Sequence, residues 1–199
     1  MLSPQERARA AARRAERDRR RFIADHGWRR RLLAEHVGCR PDGLAFVENE
    51  QGKPRLATGG PRFSASRCDE IAWYAVCAER EVGVDVERID ADRPLQPLAR
   101  RLLTARERSL YEALPDIERA RALAAGWACK EAAFKALGTG LVFPLTRLEA
   151  WTPDGTPTRA EELEIRELEA GEGRVAAVAV RVEPAETVAV APLRDLSDG

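Results

Sequence analysis

Two carboxylate side chains stand two residues apart in a segment that has the pattern of a β-strand. Residues 81–88 read EVGVDVER, and the end of this segment alternates between valine and an acidic residue. Because successive side chains of a strand point to opposite faces, Asp85 and Glu87 share one face. Adjacent like charges are unfavourable unless a cation lies near them, and carboxylate oxygens suit a hard divalent ion. The pattern therefore indicates either a metal site or an exposed strand face on which Arg88 is the partner.

A third acidic residue lies on a predicted helix, close to a lysine. In WACKEAAFKALG, residues 127–138, Glu131 and Lys135 are four apart and share a helix face. The pair alone indicates an ordinary salt bridge across one helical turn. Combined with Asp85 and Glu87, it suggests metal-assisted displacement at phosphorus. Mg²⁺ takes oxygen ligands, and a lysine can neutralise the charge that develops on a leaving phosphate.

The elements that must position these residues belong to an internal repeat. LSPQER at residues 2–7 lines up with LTARER at residues 103–108. Ser3 with Glu6, and Thr104 with Glu107, have capping-box spacing, and Pro4 suits the first helical position. We expect each start to be followed by a second helix, over residues 22–37 in one copy and 123–137 in the other.

The repeat continues into turns and strands. QGKP at residues 51–54 mirrors DGTP at residues 154–157, and both are turn signals. Strands are expected over residues 71–78 and 82–87 in the first copy and 163–168 and 174–182 in the second. The order predicts an α+β fold with two pseudo-symmetric halves, residues 1–82 and 83–199, each with a small, mostly antiparallel sheet packed on helices. We expect the active site in the cleft between them.

Composition limits the function classes. The 199 residues are 44% apolar, the net charge is zero, and no apolar run approaches a membrane span, so we expect a cytoplasmic protein. The four cysteines show no C-x-x-C pair and are expected to be buried free thiols. Arginines crowd the first forty residues, which indicates either a solvated helix or a surface for phosphates. A nucleic-acid binder is a weaker hypothesis, because it leaves Asp85, Glu87 and Glu131 unexplained.

The motifs together resemble a known family. GVDVE at residues 83–87 and WACKEAAFKALGTGL at residues 127–141, separated by a helical stretch, look like the two signatures of the 4′-phosphopantetheinyl transferase superfamily. The large, two-halved surfactin-synthetase-activating type is the nearest match. GKP at residues 52–54 and FSASR at residues 63–67 stand where that family has its G-K-P turn and its F-N-x-S-H-S segment.

The resemblance implies an activity and partners. Such an enzyme transfers the 4′-phosphopantetheine arm of coenzyme A to a serine of an acyl or peptidyl carrier protein and releases 3′,5′-ADP. Asp85, Glu87 and Glu131 are then expected to hold Mg²⁺, or Mn²⁺, with the coenzyme diphosphate. Glu131 is the expected base, and Lys135 the residue that stabilises the leaving group. With both halves in one chain, a monomer is expected, without nucleic-acid or membrane partners.

The resemblance also implies the coenzyme contacts. These are expected at five positions: Arg21, Lys53, Ser66, Arg67 and Lys130. Arg67 replaces the histidine of the family segment and Ser64 its asparagine, and we expect Arg67 to pair with a phosphate at an altered geometry.

The departures leave a second hypothesis open, a non-catalytic homologue that binds coenzyme A. The large members usually begin with a strand that has no counterpart before Leu2, so we expect the first sheet to lack a strand and to expose an edge. His26 and His36 are interpreted as surface or packing residues, and Trp73 and Trp151 as core or interface residues.

Overall fold

The fold is α+β, as predicted, with small antiparallel sheets packed against helices. The structure is a computed structural model that describes residues 1–140, 144–160 and 162–183. The helices are α1 (Pro4–Ala11), α2 (Glu16–Val37), α3 (Leu95–Leu102), α4 (Ala105–Glu112) and α5 (Asp116–Leu137). The strands are β1 (Phe46–Glu48), β2 (Pro54–Leu56), β3 (Arg62–Cys68), β4 (Ile71–Cys77), β5 (Val82–Arg88), β6 (Thr158–Ala160), β7 (Leu163–Leu168) and β8 (Arg174–Arg181).

The element order repeats along the chain. A helix, a long helix and a short 3₁₀ turn followed by strands run from α1 to β4, and the same order runs from α4 to β8. Among the described residues, the first run has four strands and the second has three. The 3₁₀ turns at Pro41–Gly43 and Leu145–Arg147 occupy matching places. β5, β8, β7 and β6 form a four-stranded antiparallel sheet in that order, whereas β1–β2 and β3–β4 are two-stranded sheets. The duplicated pattern seen in the sequence is therefore visible in the fold.

Both predicted capping boxes are present. Ser3 Oγ accepts from the Glu6 amide at 3.2 Å, and Glu6 Oε2 accepts from the Ser3 amide at 2.9 Å. At the start of α4, Thr104 Oγ1 accepts from the Glu107 amide at 3.1 Å, and Glu107 Oε2 accepts from the Thr104 amide at 2.8 Å. These bonds satisfy backbone donors that have no partner inside the helix.

In the first half, the capping-box carboxylate is buried and binds a cation on the next helix. Arg30 Nε lies 2.5 Å from Glu6 Oε2. Arg30 Nη1 also donates to the carbonyls of Pro41 and Leu44 at 2.7 and 2.9 Å. One guanidinium therefore joins the start of α1, the middle of α2 and the 3₁₀ turn.

The second half repeats this arrangement with a lysine. Lys130 Nζ lies 2.6 Å from Glu107 Oε2, and both side chains are fully buried. Lys130 also donates to the carbonyls of Leu145 and Leu148 at 2.8 and 2.6 Å. The ammonium thus uses all three of its donors inside the protein.

The β3–β4 sheet packs against α2 on one face and against β5 and β8 on the other. Phe63 and Val76 face α2 and pack with Leu33 and Ala34 in the first core. The other face, which carries Ala75 and Cys77, packs against valines of β5 and β8. This second contact brings β3 alongside β5, where the acidic residues lie.

Among the described residues, no strand other than β3 pairs with β4. In the second half, β5 covers the edge of β8, but β4 pairs only with β3 in the described residues. The expectation that the first sheet lacks a strand stays a prediction. The described residues also contain no helix with the length and apolar character of a membrane span.

The cysteine prediction was only partly correct. All four thiols are free, but only Cys129 is buried; Cys39 is exposed and the other two are half-buried. Among the remaining residues, Trp151 is in the core. His26 stacks on the ring of Phe22 with centroids 3.7 Å apart, and burial lowers the pKa of His26 to about 4.

The second half depends on a close contact between α5 and β5. A Cβ on Gly83 would lie 1.9 Å from the carbonyl oxygen of Ala132 and 2.5 Å from the amide nitrogen of Ala136. Ala132 and Ala136 are themselves almost completely buried. Only glycine on the strand and small residues on the helix allow the two backbones to come this close.

We expect Gly83→Ala to destabilise the protein because the added methyl group overlaps rigid backbone. The free energy of unfolding should fall by about 3 kcal/mol, measured by urea denaturation. Gly27→Ala is a suitable control, since its Cβ would meet no atom within 4 Å in the middle of α2. That substitution should raise stability by about 0.5–1 kcal/mol. Equal effects at the two positions would contradict the close packing at Gly83.

Candidate active site

Asp85 is at the centre of a polar cluster formed where β3, β5 and α5 meet. Its carboxylate is buried, and Oδ1 accepts hydrogen bonds from Ser66 Oγ at 2.6 Å and from Lys135 Nζ at 2.7 Å. Lys135 also donates to the Val84 carbonyl at 3.1 Å. The strand register and the helix face predicted from the sequence therefore do bring Asp85 and Lys135 together.

The second oxygen of Asp85 has no hydrogen-bond partner among the residues that the structure describes. Asp85 Oδ2 is buried and makes no hydrogen bond to the described residues. A buried carboxylate oxygen without a donor is costly, because it has lost water and gained nothing in return. This oxygen is a natural ligand for a cation.

Glu87 and Glu131 lie close enough to Asp85 to respond to its charge. Burial raises the pKa of Glu87, and the charges of Asp85 and Glu131 raise it further. Burial and the charge of Asp85 also raise the pKa of Glu131, while Lys135 opposes the shift. The charges of the three carboxylates therefore affect one another, and the nearby cations offset them only in part.

The three carboxylates do not form a ready-made metal site. Among the residues described, no three histidine, cysteine or acidic side chains converge closely enough to hold an ion as they stand. The unpartnered Asp85 Oδ2 and the mutual repulsion of the group nevertheless fit a divalent cation with oxygen ligands. The ligand set of Asp85, Glu87 and Glu131 remains a prediction.

A cleft of about 380 Å³ runs beside this cluster, between the two halves. Its first-half wall comes from α2, the loop before β2 and strand β3, and its second-half wall comes from the end of α5. The lining residues that matter here are Arg29, Lys53, Ser64, Ala65, Glu131 and Lys135. An active site in this cleft stays a prediction.

Lys53 lines the cleft but is already fully occupied. Its Nζ lies 2.6 Å from Glu81 Oε2 and donates to the carbonyls of Val82 and Ala136 at 3.3 and 3.2 Å. These three bonds use all the donors of an ammonium group. Lys53 therefore links the loop before β2 to strand β5 and helix α5.

The two arginines predicted to contact phosphates are each paired with a carboxylate. Arg21 pairs with Glu70, and Arg67 pairs with Asp25 on α2. Neither arginine is among the residues that line the cleft. Both are partly exposed, however, and each has a buried Nε without a hydrogen-bond partner in the described chain. A phosphate that binds either one would have to displace or share its carboxylate.

The structure contradicts the prediction that Lys130 contacts the coenzyme, because the Lys130 side chain does not line the cleft. Lys130 is adjacent to Glu131 in sequence, but on the helix it points away from the cleft and into the core. Its ammonium is fully buried and is held by Glu107. Burial lowers the pKa of Lys130, and the charge of Glu107 opposes that shift. Lys130 therefore holds α4, α5 and the 3₁₀ turn together.

Sequence reasoning missed Arg29. This side chain lies on α2, eight residues after Arg21 and four after Asp25, and it lines the cleft. Spacing places all three on one face of the helix. No sequence signal distinguishes Arg29 from the neighbouring arginines, and only the structure shows that Arg29 lines the cleft.

A second groove opens on the other side of Glu87. It has a volume of about 520 Å³ and lies between α3, α5 and the 3₁₀ turn before β6. Apolar side chains, among them five leucines and Trp127, form most of its wall, and Glu87, Arg93 and Arg101 also line it. The carboxylate group is thus reachable from two sides.

Comparisons with known proteins give the family. The profile of the 4′-phosphopantetheinyl transferase superfamily matches residues 81–181, which include β5 and α5. The 4′-phosphopantetheinyl transferase HetI of Nostoc sp. is 34% identical over 172 residues, covering 81% of this chain and 71% of the relative. The chain belongs to this superfamily.

Two other relatives extend the comparison. The L-aminoadipate-semialdehyde dehydrogenase-phosphopantetheinyl transferase of Eremothecium gossypii is 34% identical over 160 residues, 77% of this chain and 57% of the relative. The holo-[acyl-carrier-protein] synthase of a Shewanella species is 44% identical over 80 residues, 38% of this chain and 61% of the relative. This chain therefore spans little more than half the length of some relatives.

We expect Lys130→Met to lower the free energy of unfolding without weakening ligand binding. It leaves the buried Glu107 carboxylate without its cation, which should cost about 3–5 kcal/mol in urea denaturation. The double variant Lys130→Met/Glu107→Gln removes both charges and should recover part of the loss. Calorimetry should give both variants the wild-type dissociation constant for coenzyme A once each is folded. A folded Lys130→Met protein with greatly weakened coenzyme binding would contradict the structural role.

Proposed function

We propose that this protein transfers the 4′-phosphopantetheine group of coenzyme A to a serine hydroxyl of an acyl or peptidyl carrier protein, with 3′,5′-ADP as the second product. The observation that carries the proposal is the buried Asp85. Its Oδ1 accepts from Lys135 and Ser66, while its Oδ2 has no hydrogen-bond partner in the described part of the chain. Family membership supplies the reaction class.

A divalent ion fits the acidic cluster. We propose that Asp85, Glu87 and Glu131 hold Mg²⁺, or Mn²⁺, since both ions take oxygen ligands. When bound, the ion would neutralise charge on the oxygens of the coenzyme diphosphate. Burial raises the pKa of Glu87 and of Glu131, and the charge of Asp85 raises both further, so a nearby cation would stabilise their ionised forms.

The proposed reaction forms and breaks one bond at phosphorus. The oxygen of the acceptor serine bonds to the β-phosphorus, and the bond from that phosphorus to the 3′,5′-ADP oxygen breaks. Glu131, which lines the cleft, would accept the serine proton. Burial raises the pKa of Glu131. Lys135 is already within reach of the cluster, at 2.7 Å from Asp85, and would stabilise the negative charge on the departing ADP.

We propose that phosphates of the coenzyme replace the carboxylates that pair with two arginines in the structure. Arg21 and Arg67 are neutralised by Glu70 and Asp25 in the structure, and Ser66 donates to Asp85. Phosphate groups are strong acceptors for arginine, so binding can replace one anionic partner with another. Lys53 would contribute its charge from the wall of the cleft.

The repeated element order supports the large, two-halved type of transferase. We propose that the halves comprise residues 1–82 and 83–199, that the cleft forms within one chain, and that the protein acts as a monomer. The contacts from Lys53 to β5 and α5, together with the bond of 2.9 Å from Asn49 Nδ2 to the Gly138 carbonyl, support a cleft closed by one chain.

The transferase proposal is tested by the mass of apo carrier proteins incubated with this protein, coenzyme A and Mg²⁺. We expect a gain of one phosphopantetheine group and release of 3′,5′-ADP. Glu131→Gln should slow the transfer by about 10²-fold or more, since it removes the base. Chelation of the metal should stop the transfer.

Glu118→Gln is the matched control, because Glu118 is an exposed glutamate in the first turn of the same helix. It should transfer at the wild-type rate. Coenzyme binding without any mass gain on a panel of fatty acid, polyketide and nonribosomal peptide carriers would instead favour the non-catalytic coenzyme-binding homologue. In that case the pairing of Arg67 with Asp25 would be the first feature to examine.

A further inference from the structure

Trp127 lies on the same face of α5 as Glu131 and Lys135. The three residues are four apart, so their side chains follow one another along the helix. Lys135 bonds to Asp85 on β5 at 2.7 Å. Trp127, about two helical turns earlier, lines the second groove together with Glu87, which follows Asp85 by two residues. Strand and helix therefore run in opposite directions, and Trp127 lies towards the Glu87 end of the acidic cluster.

The Trp127 side chain is hydrogen-bonded to the Glu87 carboxylate. An indole ring has one N–H group and no acceptor, so Trp127 Nε1 is the donor. Burial raises the pKa of Glu87, and the hydrogen bond from Trp127 opposes this shift. The charge of Arg93 acts in the same direction as the hydrogen bond. Trp127 therefore stabilises the ionised form of a carboxylate that burial disfavours.

Packing fixes the position of the indole ring. Trp127 is half-buried and packs against the hydrophobic core of the second half. Glu87, in contrast, has a long side chain whose rotatable bonds allow several directions, including one into the groove that it lines. The neighbouring Asp85 is held by donors from Ser66 and Lys135. The indole N–H gives Glu87 a fixed donor of the same kind.

We propose that Trp127 is a positioning residue, whose indole N–H holds the Glu87 carboxylate in the direction in which it binds the divalent ion. The inference rests on the proposed function and deepens it. One oxygen of Glu87 accepts from the indole, and the other stays available to the ion. Hydrogen-bond partners of this kind orient metal ligands, and their loss typically lowers metal affinity about 10- to 100-fold.

The hydrogen bond is tested first, without metal, by NMR of ¹⁵N-labelled protein. The four tryptophans give four indole N–H resonances, and Trp127→Phe identifies that of Trp127 by its disappearance. We expect Glu87→Gln to shift this resonance upfield, because an amide oxygen is a weaker acceptor than a carboxylate. The other three resonances should stay in place. A Trp127 resonance that does not move would overturn the proposal.

The second measurement is the dissociation constant of Mn²⁺ in the presence of saturating coenzyme A, from the electron paramagnetic resonance signal of free Mn²⁺. Trp127→Phe keeps an aromatic ring but lacks the N–H, and it should weaken Mn²⁺ binding about 10-fold or more. Excess Mn²⁺ should restore the transfer rate of this variant. Unchanged Mn²⁺ affinity, or a rate that excess Mn²⁺ does not restore, would overturn the role in positioning.

Trp28→Phe is the matched control. Trp28 lies on α2, is 38% exposed and lines neither the cleft nor the second groove. This variant should bind Mn²⁺ with the wild-type affinity. An equal loss of affinity in Trp28→Phe and Trp127→Phe would contradict a specific role for Trp127.

Failure of the inference and failure of the proposed function are distinguishable. If the wild type transfers phosphopantetheine but the Trp127 resonance does not respond to Glu87→Gln, only the role of Trp127 is wrong. If the resonance responds but the wild type binds no Mn²⁺ with coenzyme A, the proposed function fails. The inference about the ion then fails too, although the hydrogen bond itself is present.

Discussion

The close approach of β5 to α5 is the constraint on which the site depends. Gly83 has no side chain, so the strand lies directly against the backbone of α5 at Ala132 and Ala136. Two residues after Gly83, the strand carries Asp85 to within 2.7 Å of Lys135 on the helix. A larger residue at position 83 would separate the two elements and with them the charges. The same packing buries Asp85, which is why its free oxygen matters energetically.

Charge balance links the fold to the proposed chemistry. In each half, a buried glutamate and a cation on the long helix fix the architecture, with arginine in the first half and lysine in the second. Around the cleft, internal carboxylates neutralise most of the cations that would meet an anionic coenzyme. The proposed ligand would therefore exchange with existing partners at Arg21 and Arg67.

Local patterns predicted the elements well, because each element depends on neighbours in sequence. Capping boxes need only a hydroxyl and a glutamate three residues apart, and alternation alone puts Asp85 and Glu87 on one face. The directions of Lys130 and Arg29 depend instead on packing between residues that are far apart in sequence. Helix α5 has buried residues on several sides, so its sequence did not show that Lys130 points into the core. Similarly, the arginine-rich start of the chain did not show that Arg29 faces the cleft.

The central claim is that the carboxylates of β5 and α5 hold a divalent ion at the cleft between the halves. The most direct measurement is anomalous diffraction from crystals grown with Mn²⁺ and coenzyme A. The account predicts a single strong anomalous peak within bonding distance of Asp85 Oδ2 and of oxygens of Glu87, Glu131 and the diphosphate. A bound coenzyme with no peak at this position, or with Mn²⁺ bound elsewhere, would contradict it.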